Sequence, residues 1–137
     1  MTVYLLDTNT ISELMRDPLG RVGEEYRRLS HRGTVRVVTS VVVACEMRYG
    51  VAKKGSAKLA VRVEEMLGTI EVLPLPAEAD VPYGRLRAEL ESRGEPIGAN
   101  DMLLAAHALA LKAVLVTDNV REFKRVKGLR VENWTRV

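Results

Sequence analysis

The chain has one cysteine, Cys45, so no internal disulfide is available and the fold must rest on a packed core. Aromatic residues are scarce, at 4% of the sequence, with a single Phe and a single Trp, Trp134. Trp134 and Tyr49 are candidates for stacking on nucleic-acid bases, although single aromatics without interleaved partners more often serve core or surface packing. No apolar run approaches the ~18 residues of a membrane span, and the first residues, MTVYLLDTN, carry no basic leader before an apolar segment. A soluble cytoplasmic protein without membrane contact is expected. Glycine-rich phosphate loops and signatures of a serine or cysteine nucleophile are missing as well. The two histidines, His31 and His107, do not complete a zinc site, because Cys45 is the only sulfur ligand and neither histidine has a partner at ligand spacing. In a helix, His107 would lie about 240° round from Asp101 and face away from it. Cys45, in an apolar stretch, is expected in the core.

Acids stand where acids are costly. Asp7 follows the apolar run Val3–Leu6, Glu46 lies inside Val41–Met47, and Asp101 opens Met102–Leu111. A buried carboxylate needs a partner, a proton or a cation, and a shared divalent ion accounts for all three at once. Each also has a structural reading: a helix cap for Asp7, an exposed helical glutamate for Glu46, a first-turn acid for Asp101.

At 137 residues the chain fits a single domain, residues 1–137. Net charge is +3, unevenly spread. From Val120 to Val137 six basic residues (Arg121, Lys124, Arg125, Lys127, Arg130, Arg136) oppose Glu122 and Glu132; Arg27, Arg28, His31, Arg32 and Arg36 form a second basic group. These clusters either track phosphates or form a solvated face.

Short apolar runs alternate with amphipathic stretches. Val3–Leu6, Arg36–Thr39, Ile70–Leu75, Ala113–Thr117 and Val131–Trp134 are predicted strands. Thr10–Arg16, Arg21–His31, Val41–Lys53, Ala57–Leu67, Ala77–Ser92, Asp101–Leu111 and Val120–Arg125 are predicted helices. This order predicts an α/β sandwich around a mostly parallel sheet of about five strands. Thr10-Ile-Ser-Glu13 fits a capping box, which places Asp7 at the carboxyl end of the first strand, the edge where open α/β sheets bind ligands. Pro96, Gly98 and Asn100 break the chain before Asp101, so the start of a helix is expected to keep that carboxylate ionised.

Leu6-Asp7-Thr8-Asn9 with Ile11-Ser12, SVVVACEMRYG from Ser40 to Gly50, GEPIGANDMLLAA from Gly94 to Ala106 and LVTDNVREF from Leu115 to Phe123 resemble, in order and spacing, the motifs of PIN-domain ribonucleases, more narrowly the VapC toxins of toxin–antitoxin pairs. The resemblance implies a PIN-like α/β/α sandwich binding Mg²⁺, or Mn²⁺, through Asp7, Glu46 and Asp101, which hydrolyse RNA phosphodiesters. It also implies a tRNA substrate cut in the anticodon region, the initiator tRNA above all, a homodimer, and a VapB-type antitoxin. In the fourth motif an acid commonly follows the strand threonine by two positions; here Asn119 stands there and Asp118 one residue earlier, so either is a candidate, Asn119 as a catalytic group or Asp118 as a further metal ligand. Thr8, Asn9 and Thr117 are expected to support the carboxylates by hydrogen bonds. Two other readings stay open: a haloacid-dehalogenase-type phosphatase, whose second acid would fall where Asn9 stands, and a non-catalytic RNA- or protein-binding module.

Overall fold

The computed structural model describes residues 1–136. The elements are β1 (Thr2–Leu6), α1 (Thr8–Arg16), α2 (Arg21–Ser30), β2 (Val35–Ser40), α3 (Val41–Lys54), α4 (Ala57–Thr69), β3 (Glu71–Leu73), a 3₁₀ turn (Ala77–Ala79), α5 (Asp80–Ser92), α6 (Ala99–Leu111), β4 (Val114–Val116), α7 (Val120–Phe123) and β5 (Arg130–Glu132). Every pairing in the sheet is parallel, and the strand order is β3-β2-β1-β4-β5. All five predicted strands are present, and the predicted helix over Ala77–Ser92 divides into the 3₁₀ turn and α5.

Dense β-branched and leucine runs become strands here because both faces of the sheet are covered. Leu5 and Leu6 of β1 and every residue of β4 are buried. Helices complete the core, with Ile11 from α1, Val43 from α3, Leu90 from α5 and Leu104 from α6 almost fully enclosed. The turn between α1 and α2 closes tightly on Gly23, where a Cβ would come within 1.9 Å of the Pro18 carbonyl oxygen, so no other residue fits.

Cys45 departs from the sequence expectation. It is exposed, because Val41, Cys45 and Tyr49 recur every four residues along α3 and share a face that the core does not cover. Trp134 is buried against Tyr4, ring centroids 5.6 Å apart. Tyr49 lies on the surface with the Lys53 ammonium over its ring. Neither aromatic forms a stacking platform.

The sheet order decides where a ligand would lie. The chain runs outward from β1 through β2 to β3, then returns to the opposite side of β1 to lay down β4 and β5. The direction of winding therefore reverses between β1 and β4. In open α/β sheets the crevice at the carboxyl ends of the strands flanking such a reversal is the ligand site. Asp7 follows β1 and Thr117 follows β4, and the ladder continues past the strand ends through Asp7 N–H to the Val116 carbonyl (3.0 Å) and Thr117 N–H to the Glu132 carbonyl (2.9 Å).

Candidate active site

Asp7 is only 5% exposed. It is the N-cap of α1, its Oδ1 accepting from the Thr10 N–H at 2.8 Å. Thr10 therefore does not act as the cap; its hydroxyl donates to the Val116 carbonyl at 3.1 Å and pins α1 to β4. Burial pushes the Asp7 carboxyl above its ordinary range, against the hydrogen bonds from Thr117 and Thr10, and the nearby charge of Asp118 adds to the rise. The Thr117 hydroxyl donates a hydrogen bond to Asp7 and accepts one from the Asn119 N–H at 2.9 Å. The end of β4 thus orients the end of β1.

Glu46 comes from the second turn of α3, a helix entered directly from β2 through the Ser40 cap, whose hydroxyl accepts from Val42 N–H at 3.0 Å. Its Oε1 accepts from the Thr8 hydroxyl at 2.9 Å, which ties the first turn of α1 to α3. Asp101 comes from the first turn of α6, after the N-cap Gly98. A Cβ on Gly98 would stand 3.2 Å from Asp101 Oδ2, so the absence of a side chain there gives the carboxylate its room. Burial, with the charges of Glu46, Glu122 and Asp7, pushes the Asp101 carboxyl up to about 6. The start of α6 does not hold it low, because desolvation and three like charges outweigh the pull of the helix terminus.

The fold thus brings Asp7, Glu46 and Asp101 into one electrostatically coupled cluster and adds Glu122, which the sequence reading counted only against the basic C-terminal group. Asn119 Nδ2 donates to Glu122 Oε2 at 3.0 Å. The spacing of three residues, one turn of α7, was the available signal.

Asp118 goes elsewhere. Its Oδ1 accepts from Asn133 Nδ2 at 3.1 Å and the Thr135 hydroxyl at 3.0 Å, with Arg136 at 3.6 Å, and these partners hold its carboxyl below the ordinary range. These contacts tie Asp118 Oδ1 to the C-terminal segment, whereas the charge of Glu122 joins the cluster around Asp101. Asn9 also stands apart from the carboxylates: it is exposed and lines a separate cavity with Ser12, Glu13, Asp118 and Thr135. His107 is buried, its Nδ1 2.7 Å from the Ser40 hydroxyl, and burial lowers its pKa; it takes no part in the acid cluster. His31 is exposed.

Much of the basic surface is engaged within the protein. Arg28 pairs with Glu25, Arg36 with Glu71 and Arg125 with Glu95, while Arg130 donates to the Lys112 carbonyl. Arg121, Lys124 and Lys127 are exposed and form no ion pair among the described residues.

Four carboxylates at one sheet edge are a donor set of hard oxygens, and their mutual repulsion is the kind that a hard divalent cation relieves. Among the described residues no three His, Cys, Asp or Glu side chains form a ready-made metal cage. Mg²⁺ keeps several of its waters and needs only one or two carboxylates, so two from among Asp7, Asp101 and Glu46 fit such an ion by chemistry.

Known proteins carry the same frame. The sequence matches the PIN domain over residues 4–129. It is 36% identical to "Ribonuclease VapC2" of Rickettsia felis over 133 residues, covering 96% of this chain and 98% of that one. It is 35% identical to "tRNA(fMet)-specific endonuclease VapC" of Salmonella typhimurium over 136 residues, covering 98% and 99%. The fold superposes with a TM-score of 0.89 on a chain of the crystal structure of VapBC2 from Rickettsia felis bound to a DNA fragment from their promoter, at 34% identity, covering 97% of this chain and 99% of that one. Among the described residues no helix is long and apolar enough to cross a membrane.

Proposed function

The chain belongs to the PIN-domain family and, within it, to the VapC ribonucleases, and from that footing we propose that it is a single-domain toxin that cuts tRNA in the anticodon region with the help of Mg²⁺ or Mn²⁺. The observation that carries this is the gathering of Asp7, Glu46 and Asp101 at the carboxyl edge of the sheet, from the end of β1, α3 and the start of α6, with Thr8 tying Glu46 to the helix that Asp7 caps. Acids crowded in this way repel one another, and a bound divalent cation relieves that repulsion.

Asp7, at the end of β1, and Asp101, at the start of α6, would hold the cation, with Glu46 beside them. When bound, the ion supplies Lewis acidity at the phosphate and makes an attacking water more acidic. Glu46, fixed at Oε1 by Thr8, leaves its other carboxylate oxygen to orient that water and take its proton. Thr117 and Thr10 hold Asp7 in one orientation, and Asn119 does the same for Glu122. Free cations such as Arg121 and Lys124 meet the RNA backbone without reading its sequence, so affinity falls as salt rises.

The tRNA assignment is supported by the name of the Salmonella relative, with the initiator tRNA as first candidate. The paired toxin–antitoxin structures among its neighbours support a cognate VapB antitoxin as partner; a homodimer of this chain is part of the same proposal. An arginine of the antitoxin entering the acidic cleft would block cation and substrate together.

The test is incubation of the purified protein, freed of antitoxin, with total tRNA in Mg²⁺, with the ends of the products mapped. Discrete cuts that vanish with chelator and in Asp7→Asn are expected. Asparagine keeps an oxygen for the Thr10 N–H, so that variant should fold normally. A folded parent protein that leaves all RNA intact in Mg²⁺ and in Mn²⁺ would overturn the reading.

A further inference from the structure

Glu46 borders two spaces. One is the acid cluster; the other is a cavity of about 440 Å³ between α1, α3 and α4, whose edge Glu46 forms together with Thr8. Its floor is apolar, built from Met15, Met47, Leu59 and Val63, and its rim is cationic, with Arg16, Lys54 and Arg62. Arg16 is paired with Glu13, and Arg62 donates to the Met15 carbonyl at 2.9 Å. Lys54, at the C-terminal end of α3, has no ion-pair partner among the described residues.

A polyanion cannot approach four carboxylates without positive charge close by. This cavity provides that charge beside Glu46, next to the apolar side chains of Met15, Met47, Leu59 and Val63. Thioethers such as those of Met15 and Met47 make favourable contacts with aromatic rings, and lysine and arginine meet phosphate. An apolar floor beneath a cationic rim has the chemistry of a nucleotide.

We infer that this cavity is a nucleotide subsite of the substrate strand: the base adjoining the cut phosphate lies over Met15 and Met47, and the phosphate on its far side meets Lys54 and Arg62. The inference rests on the ribonuclease reading and adds to it a place for the substrate. It assigns the positioning of the strand to α3 and α4 as well as to the basic residues around α7.

Two variants test it in different ways. Gly50 lines the cavity, and a Cβ there meets no atom within 4 Å, so Gly50→Leu fills the space without removing a charge or opposing the helix. Lys54→Gln removes the free cation and leaves the space open. Cleavage of total tRNA should show KM raised about tenfold in each variant, with a much smaller effect on kcat. The slope of log KM against log salt should fall by about 0.7 in Lys54→Gln, one phosphate contact to a single strand, and stay at the parent value in Gly50→Leu. Unchanged KM in both variants, beside a parent protein that cuts, would overturn the subsite and leave the ribonuclease reading standing. Unchanged KM with loss of a co-expressed antitoxin would overturn it too, and assign the cavity to the protein partner. A parent protein that cuts no RNA would remove the ribonuclease reading itself.

Discussion

Asp101 and Asp118 each stand beside an asparagine at the entrance to a helix, yet their surroundings treat them in opposite ways. Around Asp101, at the start of α6, the neighbours are Glu46, Glu122 and Asp7, and its carboxyl rises to about 6. Around Asp118, between β4 and α7, they are Asn133, Thr135 and Arg136, and its carboxyl falls. One acid is kept under repulsion for use; the other is satisfied and serves as an anchor for the C-terminal segment. A carboxylate's role is set by which partners the fold brings to it, and a preceding or following asparagine says nothing about that.

The sharpest way to break this comparison is activity. Asp101→Asn should lower the rate of tRNA cleavage in Mg²⁺ by roughly 100-fold or more, as for loss of a group acting directly on the reaction. Asp118→Asn should lower it less than about threefold, since a neutral side chain can still accept from Asn133 or Thr135. Equal losses, measured as initial rates on the same RNA, would erase the distinction.

Stability against pH comes next. The Asp101 carboxyl titrates higher in the folded chain than its ordinary 3.8, so its ionised form is disfavoured by folding. The penalty is fully present well above pH 6 and disappears as the pH falls below about 4. In chelator at pH 7.5, Asp101→Asn should therefore melt higher than the parent, by on the order of 1 kcal/mol after discounting for its partial exposure, and this gain should vanish near pH 4. Asp118 has the reverse sign: its lowered carboxyl contributes stability above its unfolded value that is lost as pH falls through the folded one, so Asp118→Asn should melt lower at pH 7.5. Thermal melts of the three proteins across pH 4–8 check both signs.

The smallest effect is expected at Gly98. An added methyl would stand 3.2 Å from Asp101 Oδ2, closer than a relaxed contact, so Gly98→Ala should displace the carboxylate slightly. Cleavage should slow a few-fold, on the scale of a small misplacement of a reacting group, with little change in melting temperature. An unaltered rate would show that Asp101 has more freedom than this packing indicates.

The strands were legible because a parallel sheet covered on both faces needs continuous apolar runs, and Val3–Leu6 and Ala113–Thr117 are such runs. Asp7, Glu46 and Asp101 were legible for the same reason: each interrupts or borders a stretch that burial would otherwise fill. What the sequence hid depends on distant partners. Asp118 turns outward because of residues 133–136, which return beside it only after β5 is laid down. Glu122 turns inward because Asn119 holds it, and its apolar surroundings are too sparse to mark it. Cys45 looked like core because its neighbours Ala44 and Met47 are, whereas its own turn of α3 faces outward with Val41 and Tyr49.

The strand order has a consequence for how the chain is made. Asp7 and Glu46 are made early, but Asp101 and Glu122 are added only after residue 100, and β1 lacks its neighbour β4 until Val116 has been joined. A nascent chain therefore carries two of the four clustered carboxylates on an incomplete sheet while residues 47–100 are added, at about 5–20 residues per second. A ribosome making this ribonuclease does not meet the complete cluster until Glu122 has been joined.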